Sequence, residues 1–199
     1  MPLPTYDSGI TLEEAINQFD YATSELVLHP FNGAGDNVDA RRDHVVKAAQ
    51  NSYITASRWY GVIEGNKRNG SDHLPDRKIA QSYISHVREC VNVLTKKVLP
   101  WYSELEEKEK RELKEIDPTI DQEAYNSKKE RVKSIKREKD IIRSYLPLFG
   151  MMSTFVRDEF LGKSGDIDDG YRPPKKQPYL TRVWNNVTNK IRNYFRRKQ

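Results

Sequence analysis

The chain carries Thr11-Leu-Glu-Glu-Ala-Ile-Asn-Gln-Phe-Asp-Tyr-Ala-Thr-Ser-Glu-Leu26 near its N-terminus, and this stretch decides the fold class. Thr11 and Glu14 have capping-box spacing, in which the threonine oxygen accepts from the Glu14 amide and the glutamate reaches back. Apolar residues then recur at steps of three and four, namely Leu12, Ala15, Ile16, Phe19, Ala22 and Leu26. This period is typical of an amphipathic helix, which we expect Pro30 to stop.

The same period continues through two further segments. It predicts a second helix over 38–64 and a third that begins near Pro75 and closes at Pro100, because proline suits a first helical turn. The inward residues of the second are Val45, Ala49, Ser52, Tyr53, Ala56, Trp59, Tyr60 and Ile63, and those of the third are Ile79, Tyr83, Ile84, Val87, Val91, Leu94 and Val98. No strand pattern is present, so we predict an all-α bundle of five or six helices.

Residues 101–146 differ from the rest in charge. Every residue from Glu104 to Glu115 except Leu105 and Leu113 is charged, and the signs are mixed. A sparse apolar seam follows Asp117-Pro118 and is interrupted by Lys128 and Lys139; its members are Tyr125, Val132, Ile135, Ile142 and Leu146. We predict a projecting, charged antiparallel helical hairpin whose charges mostly face solvent. A short apolar helix over 148–161 is predicted to return to the core.

The last 29 residues, 171–199, contain nine lysines and arginines and no acidic residue, whereas the whole chain has a net charge of +5. We predict a flexible linker over 162–178 and a basic amphipathic helix over 179–199. The apolar stripe of this helix, the expected protein-binding surface, comprises Leu180, Val183, Trp184, Val187, Ile191, Tyr194 and Phe195. Its basic residues, which could contact phosphates, are Arg182, Lys190, Arg192, Arg196, Arg197 and Lys198.

Four partners would satisfy such a helix. Its stripe could dock on its own domain, or fill a groove on another protein chain. Its basic face could track the phosphates of a nucleic acid, although no recognised DNA- or RNA-binding motif is present. An anionic membrane is the least favoured partner, since the asparagines of this segment widen its polar face without adding charge.

Motifs for chemistry are incomplete in this sequence. Gly162-Lys163-Ser164 matches the tail of a phosphate-binding loop, but Arg157 stands where that motif needs another glycine. The acidic run from Asp166 to Gly170 has its glycine one position early for a calcium loop, and no closing glutamate follows. The four histidines fall in different segments, and the single cysteine, Cys90, is expected in the core. We expect no catalytic residue, no metal and no cofactor.

The length of 199 residues fits one domain with appendages. We divide the chain into an N-terminal arm (1–10), a helical domain (11–161), the linker and the basic helix. The longest uncharged apolar run, 146–152, is broken by proline and glycine, and the N-terminus lacks a signal-peptide pattern. These features favour a location in the cytoplasm, or in a particle assembled there.

The combined pattern favours a non-enzymatic structural or assembly subunit that joins other protein subunits, in a homo- or hetero-oligomer, through its terminal arms. By analogy of architecture alone, ring or connector subunits of virus particles have this form. The alternatives are a non-specific nucleic-acid-binding accessory protein that uses the basic helix and, third, a small helical enzyme.

Overall fold

Helices account for nearly all of the residues that the computed structural model describes, namely residues 10–31, 37–70 and 74–162. These residues belong to one unit, Pro4–Gly162. Within the described ranges no residue lies in a strand, which confirms the all-α prediction.

The first two helices begin at side-chain caps. Helix α1 (Leu12–Leu28) starts with the predicted capping box: the Thr11 amide donates to Glu14 Oε2 at 2.8 Å, and the Glu14 amide donates to Thr11 Oγ1 at 3.2 Å. Helix α2 (Val38–Arg68) is capped by Asn37, and it extends four residues past its predicted end. The chain leaves α2 at Gly70, whose φ of +62° favours glycine.

The third rod runs from residue 77 to residue 115 without a break. It consists of α3 (Arg77–Val93), a π-helical turn (Leu94–Val98) and α4 (Leu99–Glu115). The prediction that Pro100 closes this helix is therefore wrong. In a regular α-helix the Pro100 ring would collide with the carbonyl four residues earlier, and the wide turn directly before it accommodates the ring. The start is also later than predicted, because Asp76, not a residue before Pro75, caps the helix.

The last rod is α5 (Gln122–Phe160), a single helix of 39 residues. The prediction of a separate helix over 148–161 is wrong, since Pro147 lies inside α5. Proline removes one backbone donor from a helix but does not end it when packing holds the turns on both sides. Ile142 and Phe149, on either side of Pro147, are both fully buried.

Counted as continuous rods, the described helices number four, fewer than the predicted five or six. The rods pack as α1 against α2 and α3, and α5 against α2, α3 and α4. The apolar faces predicted for α1, α2 and α3 supply most of the core; their fully or almost fully buried members include Phe19, Leu26, Val45, Trp59, Ile63, Tyr83 and Leu94. Tyr83 stacks on Trp59 with ring centroids 4.1 Å apart and also meets Phe19 at 5.3 Å.

None of the described helices combines the length and the apolar character that crossing a bilayer requires. The predicted N-terminal arm, linker and basic helix lie outside the described residues, apart from Ile10 and Gly162.

Candidate functional site: a buried ion-pair seam

Arg42, in the second turn of α2, is the centre of a buried polar cluster. It is 8% exposed. Its guanidinium forms a two-pronged contact with Glu138 of α5, with Nε 2.9 Å from Oε2 and Nη2 2.5 Å from Oε1. Further bonds run from Nη2 to Ser134 Oγ and from Nη1 to Asp39 Oδ1, both at 2.9 Å. All of the described partners are anionic or neutral acceptors, so the buried positive charge is well compensated.

Tyr102 of α4 completes this cluster from the opposite side. Its hydroxyl lies 3.1 Å from Glu138 Oε2 and 3.3 Å from the Arg42 carbonyl oxygen, so its one proton is donated to that pair. Burial, followed by the negative charge of Glu138, raises the pKa of Tyr102 far above its usual range. The phenol is therefore neutral and serves as a fixed donor that ties α4 to α2 and α5.

A second cluster surrounds Glu109 of α4, which is 5% exposed. Arg131 Nε donates to Glu109 Oε1 at 2.9 Å, and Lys128 Nζ lies 2.7 Å from Oε2. Lys128 also pairs with Glu112, and Arg131 Nη1 reaches Asp39 Oδ2 at 2.7 Å. Since Asp39 also bonds Arg42, the two clusters form one continuous network.

A third buried carboxylate, Glu106, lies one helical turn before Glu109 and is also 5% exposed. Lys139 of α5 pairs with it across the hairpin, and Lys110 of α4 lies 2.7 Å from its Oε1. The order of the cross-hairpin pairs, in which Glu106, Glu109 and Glu112 meet residues of falling number on α5, shows that α4 and α5 run antiparallel.

The two buried glutamates are held in their charged form. Burial raises the pKa of Glu109, but the hydrogen bonds and charges of Lys128 and Arg131 outweigh it, and the net pKa is lowered. The same holds for Glu106: burial raises its pKa, but the hydrogen bonds and charges of Lys110 and Lys139 outweigh burial, and the net pKa is lowered. Neither carboxylate is poised to exchange a proton near neutral pH, so the geometry fits charge pairing better than general acid or base chemistry.

We refer to the three clusters together as the ion-pair seam; its members are Asp39, Arg42, Tyr102, Glu106, Glu109, Lys110, Glu112, Lys128, Arg131, Ser134, Glu138 and Lys139. Most charged residues of the hairpin are exposed, as predicted, but Glu106 and Glu109 are buried, and their partners Lys128, Arg131 and Lys139 are partly buried. Lys128 and Lys139, which appear in the sequence as interruptions of the apolar seam, sit beside the apolar residues and neutralise glutamates of the facing helix. A detectable signal was present in the sequence, because Glu106 and Glu109 fall on the same side of α4 as the apolar Tyr102 and Leu105.

The side chains of Cys90, His44 and His86 have structural partners. Cys90 is buried with its Sγ 3.6 Å from Thr23 Oγ1, and burial raises the pKa of its thiol to about 11, so the predicted core role is confirmed. His44 Nε2 lies 2.8 Å from the carbonyl oxygen of His29, and His86 pairs with Asp20 at 2.7 Å.

An open groove lies at the other end of the bundle, between the first turns of α1 and α3 and the last turns of α2. It measures about 640 Å³, and its apolar lining includes Ile10, Ile16, Val62, Leu74 and Ile79. Among the described residues, no group of three or more histidine, cysteine, aspartate or glutamate side chains is placed to hold a metal ion.

The residues that the sequence nominated for partner binding, Leu180 to Phe195, and for phosphate contact, Arg182 to Lys198, all lie outside the described part of the chain. The same holds for the acidic run over 166–170 and for Lys163 and Ser164. The ion-pair seam is therefore a feature that the structure adds, and it stands apart from the sites predicted from sequence.

No protein-family model, no curated protein and no solved structure matches the chain.

Proposed function

We propose that the chain is a non-enzymatic structural subunit that joins copies of itself, or other proteins, in a larger assembly. The observation that carries this proposal is the ion-pair seam, in which charged residues of α2, α4 and α5 form ion pairs with one another. An arrangement of this kind fixes the position of two long helices and leaves its charged groups engaged rather than directed at a substrate.

The physical argument concerns what buried ion pairs achieve. Removing charges from water costs nearly as much as their attraction returns, so such pairs add little net stability. They do discriminate between alignments, because a shift of α4 by one helical turn (about three residues) in either direction would put Leu99 or Leu105 in place of Tyr102 and remove its hydrogen bond to Glu138. A hairpin locked in one register is suited to acting as a strut of defined length, about 1.5 Å per residue along each helix.

Exposed apolar side chains on the same unit offer contact points for a partner. Tyr21 and Leu28 of α1 are 67% and 69% exposed, and they lie seven residues apart, on one side of the helix. Ile120, in the turn between α4 and α5, is 85% exposed. Aromatic and large aliphatic side chains are common anchors in protein interfaces.

Light scattering at several protein concentrations tests this proposal directly. We expect the mass of the full chain to exceed 23.2 kDa and to rise with concentration. A mass of 23.2 kDa at every concentration would contradict assembly from copies of this chain. The double variant Tyr21→Ser/Leu28→Ser should lower the association without lowering stability, and the matched control Asn17→Ser/Ser24→Ala changes two other exposed residues of α1 and should not.

A nucleic-acid-binding accessory protein is the second candidate, favoured by the nine basic residues and the absence of acidic residues over 171–199. Affinity for duplex DNA should then fall steeply with salt. Replacing Arg192 and Arg196 with glutamine should weaken binding, whereas Trp184→Ala should leave it nearly unchanged. The opposite pattern would indicate that the apolar stripe, with its tryptophan, binds a protein.

A further inference from the structure

Helix α5 carries an unusual excess of positive charge. Between Lys128 and Arg143 there are eight basic and three acidic residues. Three of the basic residues, Lys128, Arg131 and Lys139, form ion pairs with glutamates of α4 in the ion-pair seam. The excess that remains lies on the other side of the helix.

Helical geometry aligns four of the remaining basic residues. With 100° per residue, Lys129, Lys133, Lys136 and Arg143 fall within one arc of about 80°, roughly opposite the side that faces α2. We call this set the basic stripe. From Lys129 to Arg143 it extends about 21 Å along the helix axis. Asp140 is the acidic residue that shares this arc.

The four side chains are accessible, and their described acidic contacts are weak. Lys133 pairs with Glu130 at 2.6 Å, with the two side chains 61% and 70% exposed. Arg143 lies 3.7 Å from Asp140, and these are 58% and 53% exposed. Exposed pairs between residues three apart contribute little and are readily exchanged for other anions. Lys129 lies 5.7 Å from the centroid of the Tyr125 ring, and no described residue forms an ion pair with Lys136.

The ion-pair seam also fixes the direction in which the basic stripe faces. Because Lys128, Arg131 and Lys139 are bonded to α4, helix α5 is fixed in rotation, and the four stripe residues, at intervals of four, three and seven positions, point away from α4. A duplex nucleic acid presents phosphates at regular intervals, about 3.4 Å per strand along its axis. The stripe therefore spans the axial rise of about six base pairs, and because each strand winds round the axis over that length, its four cations meet the phosphates that face helix α5. A membrane-surface helix would instead need large apolar residues beside its charges, and the arc of the stripe contains one aromatic residue, Tyr125.

We propose that the basic stripe binds the phosphate backbone of a double-stranded nucleic acid, independently of base sequence. The contacts are charge-assisted bonds to phosphate oxygens, which position a protein along the duplex and carry no sequence information. This site is separate from the C-terminal basic segment, and it does not rest on the assembly proposed above.

The experiment measures binding of the full chain to a labelled duplex DNA of roughly 30 base pairs over a range of salt concentrations. The test variant is Lys129→Gln/Lys133→Gln/Lys136→Gln/Arg143→Gln. Its control, Arg77→Gln/Lys78→Gln/Lys96→Gln/Lys97→Gln, removes the same charge from exposed positions of the rod that contains α3. Circular dichroism and thermal unfolding verify that both variants are folded.

We expect the slope of log affinity against log salt to fall by about 0.9 for each lost phosphate contact, or about 3.6 for all four, in the stripe variant. The control should lose less than one contact. Equal slopes for the stripe variant and the unmodified chain would overturn the proposal, as would equal losses in the two variants. Binding to phosphatidylserine vesicles without binding to the duplex would also overturn it, and would assign the stripe to a membrane surface.

Discussion

Two regions of the helical unit are stabilised by different interactions, apolar packing in one and ion pairs in the other. In the region of α1, α2 and the start of α3, the side chains of Phe19, Trp59 and Tyr83 form an aromatic cluster, and each is at most 2% exposed. Along α4 and the first half of α5, the ion-pair seam packs Glu106 and Glu109 beside a narrow apolar strip that includes Ile135. Apolar burial supplies stability with little directional preference, whereas ion pairs supply alignment with little net stability.

This contrast predicts that the largest loss of stability follows from the aromatic cluster. Trp59→Ala removes a ring that is 1% exposed and stacked on Tyr83, and it should lower the free energy of unfolding by about 3–5 kcal/mol. Chemical denaturation of the full chain measures this value. The exposed Tyr21 provides the control, since Tyr21→Ala should cost less than about 0.5 kcal/mol. Equal costs would remove the basis of the comparison.

A smaller loss is expected when the seam is broken on one side. Arg42→Met leaves Glu138 without its main counter-charge, and because the Glu138 side chain is 21% exposed the cost should be about 2 kcal/mol, below the range for fully buried pairs.

The double variant Arg42→Met/Glu138→Leu separates stability from alignment. Replacing both charges with apolar groups should recover most of the loss, because an apolar pair needs no compensation. A double variant no more stable than Arg42→Met would mean that the pair itself contributes the stability.

Acid should weaken the seam and spare the aromatic cluster. The folded pKa values of Glu106 and Glu109 are lowered below the ordinary 4.5, so the unfolded chain binds protons first as pH falls. The contribution of these carboxylates is complete above pH 4.5 and is lost as pH drops through the lowered folded values. Denaturation at a series of pH values, from about 7 downward through the acid range, measures this contribution.

Two variants sharpen the acid experiment. Glu106→Gln/Glu109→Gln should be less stable near neutral pH and should show a flatter acid profile. Trp59→Ala should keep the full acid dependence, because it leaves both carboxylates paired. An unchanged profile in the double glutamine variant would show that other groups govern the acid response.

The smallest effect belongs to a pair on the surface. Lys47 lies 2.6 Å from Asp43 on α2, and these side chains are 72% and 64% exposed. Asp43→Asn should change the free energy of unfolding by less than about 0.5 kcal/mol, and added salt should erase the difference. A cost comparable to that of Arg42→Met would show that burial does not set the value of an ion pair in this protein.

The sequence predicted the helical class and the core faces, but it did not predict that two of the helices continue through prolines. The core faces of α1, α2 and α3 followed from a period near 3.6 residues, and the Thr11 capping box formed as predicted. The sequence predicts that a helix ends at Pro100 and that a separate helix begins after Pro147, but both prolines lie within continuous helical rods. Proline weakens a helix locally, and whether the helix continues depends on packing around it.

The ion-pair seam, too, could be predicted only in part from the sequence. Composition identified residues 101–146 as a charged helical hairpin, and the spacing of Ile135 and Ile142 identified its buried side. The spacing puts Glu106 and Glu109 on the apolar side of α4. Sequence could not identify which cations of α5 face them, because that depends on how α4 and α5 are aligned.

The amino-acid sequence by itself therefore determined the helical class and the apolar faces, since these depend on interactions between residues three and four apart. Only the tertiary structure decided that Glu106 and Glu109 are buried, that Arg42 meets Glu138 96 positions away, and that one side of α5 is left as a basic stripe. The physical reason is that a charge is tolerated inside a protein only beside its counter-charge, and such distant partners are brought together by folding.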